Sequence, residues 1–411
     1  MQQNINASKW VKYSILLCVI LYLYIVMRGL HLQDNADDQF FLKIFNSDKL
    51  LESVTGRYFS WTGRFPLELL MTTTIGISAF WKVGIPSSVV LLCFSVCRIS
   101  GIRVNLFTFS AVLALFAMIP ADINSDASWW VTGFYNYLLP VSLAAYAFSV
   151  SYTSSEKTFE KVLCIIFSFY FSYMEQAGIA YVLGMVMFLS CIKDSRSKFN
   201  YAMLMISLIN LIICLKAPGN EHRSLLETWR WLPQYQTYGI INKLSLGFDK
   251  MHQLMTSRYN IPLIGLSLSL LFTGAYSGKI KASVKVSIFI IVTFTSLSIV
   301  NSLTGYFSMS SFFYNTVLNA SRWSSAKIFL SYLYILFVIS SMFAIMIDAL
   351  IKSNISAMPI IAMLLGFMSV TMLGMSPTVY ASGLRVDFLF EIMCIISCIY
   401  LFNKHMQSNN K

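Results

Sequence analysis

Uninterrupted apolar runs leave this chain few ways to fold. Residues 13–27, YSILLCVILYLYIVM, carry neither charge nor proline, and several later runs approach or exceed the ~20 residues that take an α-helix across a bilayer. Hydrocarbon offers the backbone no hydrogen-bond partners, so only helices and closed barrels span it. A barrel would show alternating segments of about ten residues, and none is present. With 57% hydrophobic and 12% charged residues and a mean hydropathy of +0.66, a soluble domain is excluded. The expected fold class is therefore all-α, a polytopic integral membrane protein with residues 1–411 forming a single transmembrane domain. The first run is long for a signal-peptide core and is followed by MRGLHLQD rather than a small-x-small cleavage site, so it reads as a retained first span.

The basic residues give the threading. The net charge of +12 is dispersed over short loops, as positive-inside topology requires and nucleic-acid binding does not. SKWVK, CRISGIR (97–103), SSEKTFEK (154–161), KDSRSK (193–198), GKIKASVK (278–285), Lys352, and a tail with Lys404 and Lys411 mark the cytoplasmic side. About twelve spans fit between them with both termini inside. Loops 31–66, 120–134, the region of 175, 217–260, 305–327 and 375–386 then face outward. Glu156, Glu160, Asp194 and Asp348 fall on or near the inner side and the remaining acids at or near the outer one, which points to the outer face as the working face.

Two stretches depart from simple spans. Residues 67–97 are too long for one upright helix and are interrupted by Lys82, Gly84 and Pro86, which predicts an interfacial or re-entrant helix and then a span. Residues 162–192 have basic flanks at both ends and predict a hairpin with limbs of about 14 residues, short of the ~20 of a full span. Its tip, YMEQAG, would hold Glu175 in a cavity below the outer surface, because a carboxylate facing lipid is costly. Interfacial helices are expected in loops 31–66 and 217–260. In IINKLSLGFDKMHQLM, Ile241, Leu244, Phe248, Met251 and Met255 share one helical face and Asn242, Lys243, Asp249 and Lys250 the other, the pattern of a helix lying on a membrane. ETWRWLPQYQTYG carries the Trp and Tyr that favour headgroup depth.

Several constellations could carry chemistry. Asp37 and Asp38 follow the first span directly; adjacent carboxylates in a low-dielectric cleft repel and favour a proton acceptor or a cation site, whereas in a solvated loop they merely end a helix. TGRYFSWTGRFPLELL places Arg57 and Arg64 each after a glycine; the guanidinium fork suits phosphate, with lipid-headgroup contact as the plainer role. DINSDASWWVTGFYNYLLP brings Trp129, Trp130, Tyr135 and Tyr137 beside Asp126 and Asn136, an aromatic belt by default or a sugar-stacking surface. LKAPGNEHR gathers Lys216, Asn220 and Arg223 at a turn, and SPTVYASGLR ends in Arg385; with Arg57 and Arg64 these could form a basic pocket for a lipid-linked phosphate. The eight cysteines all lie in apolar segments without a C-x-x-C pair, the four histidines are scattered, and no nucleotide fingerprint occurs, so no metal site, disulfide framework or sugar-nucleotide donor is expected.

The acid pair, GRYFSWTGR, WWVTGFYNYLLP, Glu175 in YMEQAG, APGNEHR and SPTVYASGLR, in this order and on one side, resemble the GT-C superfamily of polyprenyl-phosphate-sugar-dependent glycosyltransferases. Within it, the chain is similar to bacterial and phage serotype-converting enzymes that add glucose to O-antigen. The resemblance implies a multi-pass protein of the bacterial inner membrane with a periplasm-facing site, a polyprenyl-phosphate-linked sugar as donor and O-antigen polysaccharide as acceptor. It places the base at Asp37 or Asp38, with Asp38 preferred and Glu175 as second base or sugar ligand. Arg57, Arg64, Lys216, Arg223 and Arg385 would hold phosphate, and Trp129, Trp130, Asn136 and Tyr137 the sugar. A divalent cation on the acid pair is compatible with this chemistry but not demanded by it. An O-antigen polymerase, expected to carry a long Arg-rich outer loop, and a polyprenyl-linked sugar flippase or transporter, expected to place charge along a midplane pathway, are the competing readings.

Overall fold

The structure is a computed structural model that describes residues 2–34, 36–192, 195–256, 260–275, 280–304 and 326–409. Among these residues the chain is helical throughout, without strands. The outer loop expected at 305–327 lies almost wholly outside the described residues, as do Lys193 and Asp194.

Seven helices are long and apolar enough to cross a membrane, or eight if the bent pair Leu106–Ala117 and Ala121–Trp129, which turns by 97°, counts as one span. Glu175–Cys191 and Ile261–Ala275 are apolar but shorter. Length and composition thus establish a polytopic helical protein, and among the described residues they do not reach the twelve spans that the basic loops suggest.

The chain divides into two compact units. The first comprises residues 1–117, 122–189 and 193–223. In chain order its helices are α1 (Gln2–Gly29), α2 (Ala36–Phe45), α3 (Leu50–Ser60), α4 (Phe65–Thr74), α5 (Ser78–Ile99), α6 (Leu106–Ala117), the short α7 (Ala121–Asn124) and α8 (Val131–Gly133), α9 (Leu139–Tyr152), α10 (Thr158–Phe171), α11 (Glu175–Cys191), α12 (Lys198–Leu215) and the start of α13 (Pro218–Trp231). Their core is the packing of α5 on α9 and of α9 and α12 on α10, with Val89, Leu92, Cys93 and Val96 of α5 and Val141, Ala147 and Val150 of α9 fully or almost fully buried. The apolar window of α1 is 0% buried, as suits a helix that meets lipid on most sides. At the other extreme, Arg98 bonds Glu160 at 3.2 Å and ties α5 to α10, pairing two residues that the basic loops assign to the same face.

The interruption of 67–97 is not where composition suggests. Helix α5 runs unbroken through Lys82, Gly84 and Pro86, and the break falls at residues 75–77. There the Trp81 indole donates to the Ile75 carbonyl at 2.9 Å, satisfying a group that the end of α4 would leave bare. The stretch 162–192 is broken at residues 172–174 into α10 and α11, and Glu175 is the first residue of the second.

The second unit comprises residues 118–121, 190–192 and 224–411. It holds most of α13, then α14 (Ile240–Thr256), α15 (Ile261–Ala275), α16 (Ala282–Thr304), α17 (Ala326–Ile351), α18 (Met358–Thr371) and α19 (Phe388–Asn409). Helix α19 is central, packed by α15 and α18. Asp348 joins Lys352 at 2.6 Å and Lys281 at 3.9 Å where α16 begins and α17 ends.

Helix α14 corrects a sequence expectation. Its Ile241 and Leu244 stay exposed, as a lipid-facing stripe would, but Met251 and Met255 of the same stripe and the supposed polar-face Asp249 and Lys250 are buried. Asp249 accepts from the Tyr332 hydroxyl and, at 2.6 Å, from the Tyr380 hydroxyl; Lys250 donates to the Gly383 carbonyl at 3.3 Å. The C-terminal half of α14 is therefore built into the unit, because its charges find partners there that a membrane surface cannot supply. Behind them His252 stacks on Tyr332 with centroids 4.0 Å apart and shares a 2.7 Å hydrogen bond with Ser331. Burial pushes His252 down to about 4 from its ordinary 6.5. The neutral ring thus favours the folded state above pH ~6.5, and this contribution is lost as pH falls towards ~4. We expect the thermal midpoint in detergent to drop over that interval, and His252→Gln to flatten the drop.

Candidate active site

The first unit assembles four stretches far apart in sequence. Two turns interlock first. Asn220 accepts from the Gly63 N–H at 3.0 Å and donates to the Cys214 carbonyl at 2.7 Å, and His222 Nδ1 bonds the Ser60 carbonyl at 2.9 Å. The approach is so close that a Cβ on Gly63 would lie 2.0 Å from the Cys214 carbonyl oxygen, and one on Gly219 2.5 Å from the Trp61 nitrogen. Glycine is needed at both places because no side chain fits there, which gives SWTGR and APGNEHR their composition.

This docking brings three guanidiniums together. Arg64 donates through Nε and Nη2 to Glu175 Oε2, at 2.8 and 2.6 Å, and through Nη1 to Asn136 Oδ1 at 3.1 Å. Burial opposes its charge, but Glu175 beside it outweighs that and raises the Arg64 pKa above its ordinary value. Arg223 lies over the Trp61 ring at 5.7 Å, close enough for its charge to act on Glu175. Arg57 lies over the same ring at 6.0 Å and over Phe40 at 5.0 Å, while its fork grips Glu68, with Nε 3.0 and 2.9 Å and Nη2 2.6 Å from the carboxylate oxygens. Arg57 is thus already matched by a carboxylate that sequence reasoning missed. The signal for Glu68 was its position in the first turn of α4, eleven residues after Arg57.

The acid pair is split. Successive residues on a helix point in different directions, and here Asp37 is exposed while Asp38 is 0% exposed. Asp38 Oδ1 accepts from the N–H of Thr132 at 3.1 Å and from its hydroxyl, and Oδ2 from the Gln33 N–H at 2.8 Å. An enclosed carboxylate with both oxygens engaged holds a loop in place. The geometry thus does not favour the expected preference for Asp38: Asp37 is the carboxylate of the pair that solvent reaches. Because the Gln33 and Thr132 contacts all come from donors, Asp38→Asn turns an amide NH2 on one of them and is expected to cost about 1–3 kcal/mol. Asp37→Asn should leave the thermal midpoint unchanged.

Thr132 connects Asp38 to the arginines. Its carbonyl accepts from Asn136 Nδ2 at 2.9 Å, so Asp38, Thr132, Asn136, Arg64 and Glu175 form one continuous chain of hydrogen bonds. The backbone between them is unusually wide. Trp130 N–H reaches back five residues to the Ser125 carbonyl at 2.8 Å, Leu139 N–H does the same to Phe134, and Trp130 between them is extended with ψ 131°. Wide turns of this type occur preferentially at functional sites.

The aromatic residues of this segment do not form an open stacking platform. Trp130 and Tyr137 are 6% and 8% exposed; Trp129, half-buried, meets Phe116 edge-on at 5.9 Å. They pack the wide turns, and Tyr137 is near enough to Arg64 to act on its charge. Lys216 is exposed where α12 ends. Arg385 belongs to the second unit, at the start of a short turn (Arg385–Asp387) ahead of α19.

A recess of about 290 Å³ in the same unit is lined by Thr55, Tyr58, Phe59, Phe65, Tyr173 and Ile213. Phe65 follows Arg64 directly, and Tyr173 precedes Glu175 by two residues. An apolar recess lined by chain neighbours of Arg64 and Glu175 suits an apolar tail. Among the described residues no cluster of His, Cys, Asp and Glu is arranged to hold a metal ion. Comparison with protein-family models, curated proteins and solved structures yields no match to the chain.

Proposed function

We propose that the chain is a membrane glycosyltransferase that moves a sugar, glucose by preference, from a polyprenyl phosphate to O-antigen polysaccharide. In this reading it is a GT-C-type protein of about twelve spans in the bacterial inner membrane, working on the periplasmic side. The observation that carries it is the hydrogen-bonded chain from Asp38 to Glu175, which holds Arg64 on the same carboxylate that the charge of Arg223 reaches.

The chemistry follows from those groups. The acceptor hydroxyl attacks the anomeric carbon from the face opposite the phosphate, the carbon–phosphate oxygen bond breaks, and the configuration inverts. Asp37 takes the hydroxyl proton. Arg64 and Arg223 receive the departing phosphate, Arg64 exchanging part of its contact with Glu175 for phosphate oxygens. Phosphate leaves readily, so no acid comparable to that of a glycoside hydrolase is required. The isoprenoid tail lies along Tyr58, Phe65 and Tyr173. A divalent cation is compatible with an exposed Asp37 but is not demanded by the chemistry; three guanidiniums against two carboxylates leave one net positive charge for the phosphate.

A choice of donors tests the reaction. Detergent-solubilised protein should transfer labelled sugar from polyprenyl-phosphate-glucose and not extend chains from a polyprenyl-diphosphate repeat unit; the reverse preference would make it a polymerase.

A further inference from the structure

We infer that Lys250, Asp387 and Glu391 in the second unit form a buried centre that binds one proton. The centre lies apart from the residues assigned to transfer, and the inference does not depend on that activity.

The geometry is a matter of charge and hydrogen-bond supply. Asp387 and Glu391 stand one helical turn apart, so they share a face of the helix they lead into. Both are 0% exposed, and Lys250 is 3% exposed. Lys250 Nζ lies 3.6 Å from Asp387 Oδ2 and gives its nearest hydrogen bond to the Gly383 carbonyl. Glu391 Oε1 accepts from Asn260 Nδ2 at 2.8 Å. Among the described residues, Glu391 Oε2 and both Asp387 oxygens have no hydrogen-bond partner. One ammonium thus serves two carboxyl groups, and three of their four oxygens lack a donor.

Among the described residues, the other titratable groups nearby do not alter this sum. Asp249, on the same helix as Lys250, is occupied by the hydroxyls of Tyr332 and Tyr380, and His252 by Ser331. Arg385, two residues before Asp387, has its own interactions. Cys394 and Cys398, further along α19, bring no cation.

A buried carboxylate without a compensating charge costs several kcal/mol. A proton on the carboxyl pair removes that cost and provides the missing donor: the Glu391 hydroxyl can bond to the Asp387 carboxylate, which keeps Lys250 as its counter-ion. The ligand is a proton rather than a metal ion, because the Lys250 ammonium already occupies the place a second cation would take. Ionisable residues enclosed in a membrane helix commonly mark proton or ion sites.

Infrared difference spectroscopy of the reconstituted full chain tests this directly. Wild type minus Glu391→Gln should show the carbonyl stretch of a protonated carboxylic acid, which shifts down in D2O, and Asp387→Asn should move or remove it. Thermal midpoints supply a second reading. Glu391→Gln, which mimics the protonated form, should stay within about 2 °C of wild type, whereas Asp387→Asn, which strands Lys250, should lose about 5 °C or more. Absence of the band, or a Glu391→Gln midpoint as low as that of Asp387→Asn, would show an ionised Glu391 and overturn the inference.

Discussion

Replacing Arg64 by lysine is expected to reduce transfer by about 10²–10³-fold, the loss typical of removing one preorganised donor from a developing oxyanion, while the protein still folds. Arg64 makes directed bonds to two partners at once, Glu175 Oε2 and Asn136 Oδ1. An ammonium is a point charge and cannot hold both in the geometry of a planar fork. Arg64→Met should differ in kind. It leaves Glu175 without its partner; for fully buried pairs that costs ~3–5 kcal/mol, and with these side chains 20% and 22% exposed the lower end applies. Steady-state transfer and thermal unfolding, measured on both variants, separate a lost contact from a lost fold.

The second large effect is expected at the interlocked turns. Gly219→Ala drives a methyl to 2.5 Å from the Trp61 nitrogen and 2.6 Å from the Thr62 nitrogen, and Gly63→Ala drives one to 2.0 Å from the Cys214 carbonyl oxygen. These neighbours are backbone, so the turns must separate. Overpacking costs about 1–3 kcal/mol, and the upper end is expected because no flexible side chain can yield. Separation also moves Arg64 and Arg223, and a displacement of about 1 Å in a positioning group costs on the order of 10²-fold in rate. The two substitutions disrupt one contact, so the double variant should lose clearly less than the sum of the singles.

Different parts of the molecule were legible in the sequence to different degrees. The helical class follows from apolar runs, since hydrocarbon leaves the backbone no other partner, and a break just before Glu175 follows from a stretch with basic residues at both ends. Arg64 beside Gly63 and the Pro-Gly of APGNEHR located two turns, whereas Gly56 before Arg57 lies inside α3; Gly63 and Gly219 meant more than flexible backbone, because they are where those turns touch. What the sequence did not reveal is which charges are already spent. Glu68 on Arg57, and Asp249 and Lys250 turned into the second unit, are tertiary matches with no local signature. The adjacent acids looked alike as letters, yet helical geometry sends Asp38 inward to Thr132 and Asp37 outward. The break at 75–77 escaped notice because Lys82, Gly84 and Pro86 are stronger sequence punctuation than a tryptophan indole that folds back to the Ile75 carbonyl. The segment around Trp129, Trp130 and Tyr137 has the composition of an aromatic belt, and its wide turns are set by packing.

The most direct measurement is transfer of radiolabelled glucose from polyprenyl phosphate to lipopolysaccharide by the detergent-solubilised protein, with Asp37→Asn measured alongside. Detergent leaves no sealed compartment, so transport cannot contribute to the signal. The proposed reaction predicts label in the polysaccharide for wild type and its loss in a folded Asp37→Asn variant. Absence of transfer from every polyprenyl-phosphate sugar, or transfer undiminished in Asp37→Asn, would contradict it.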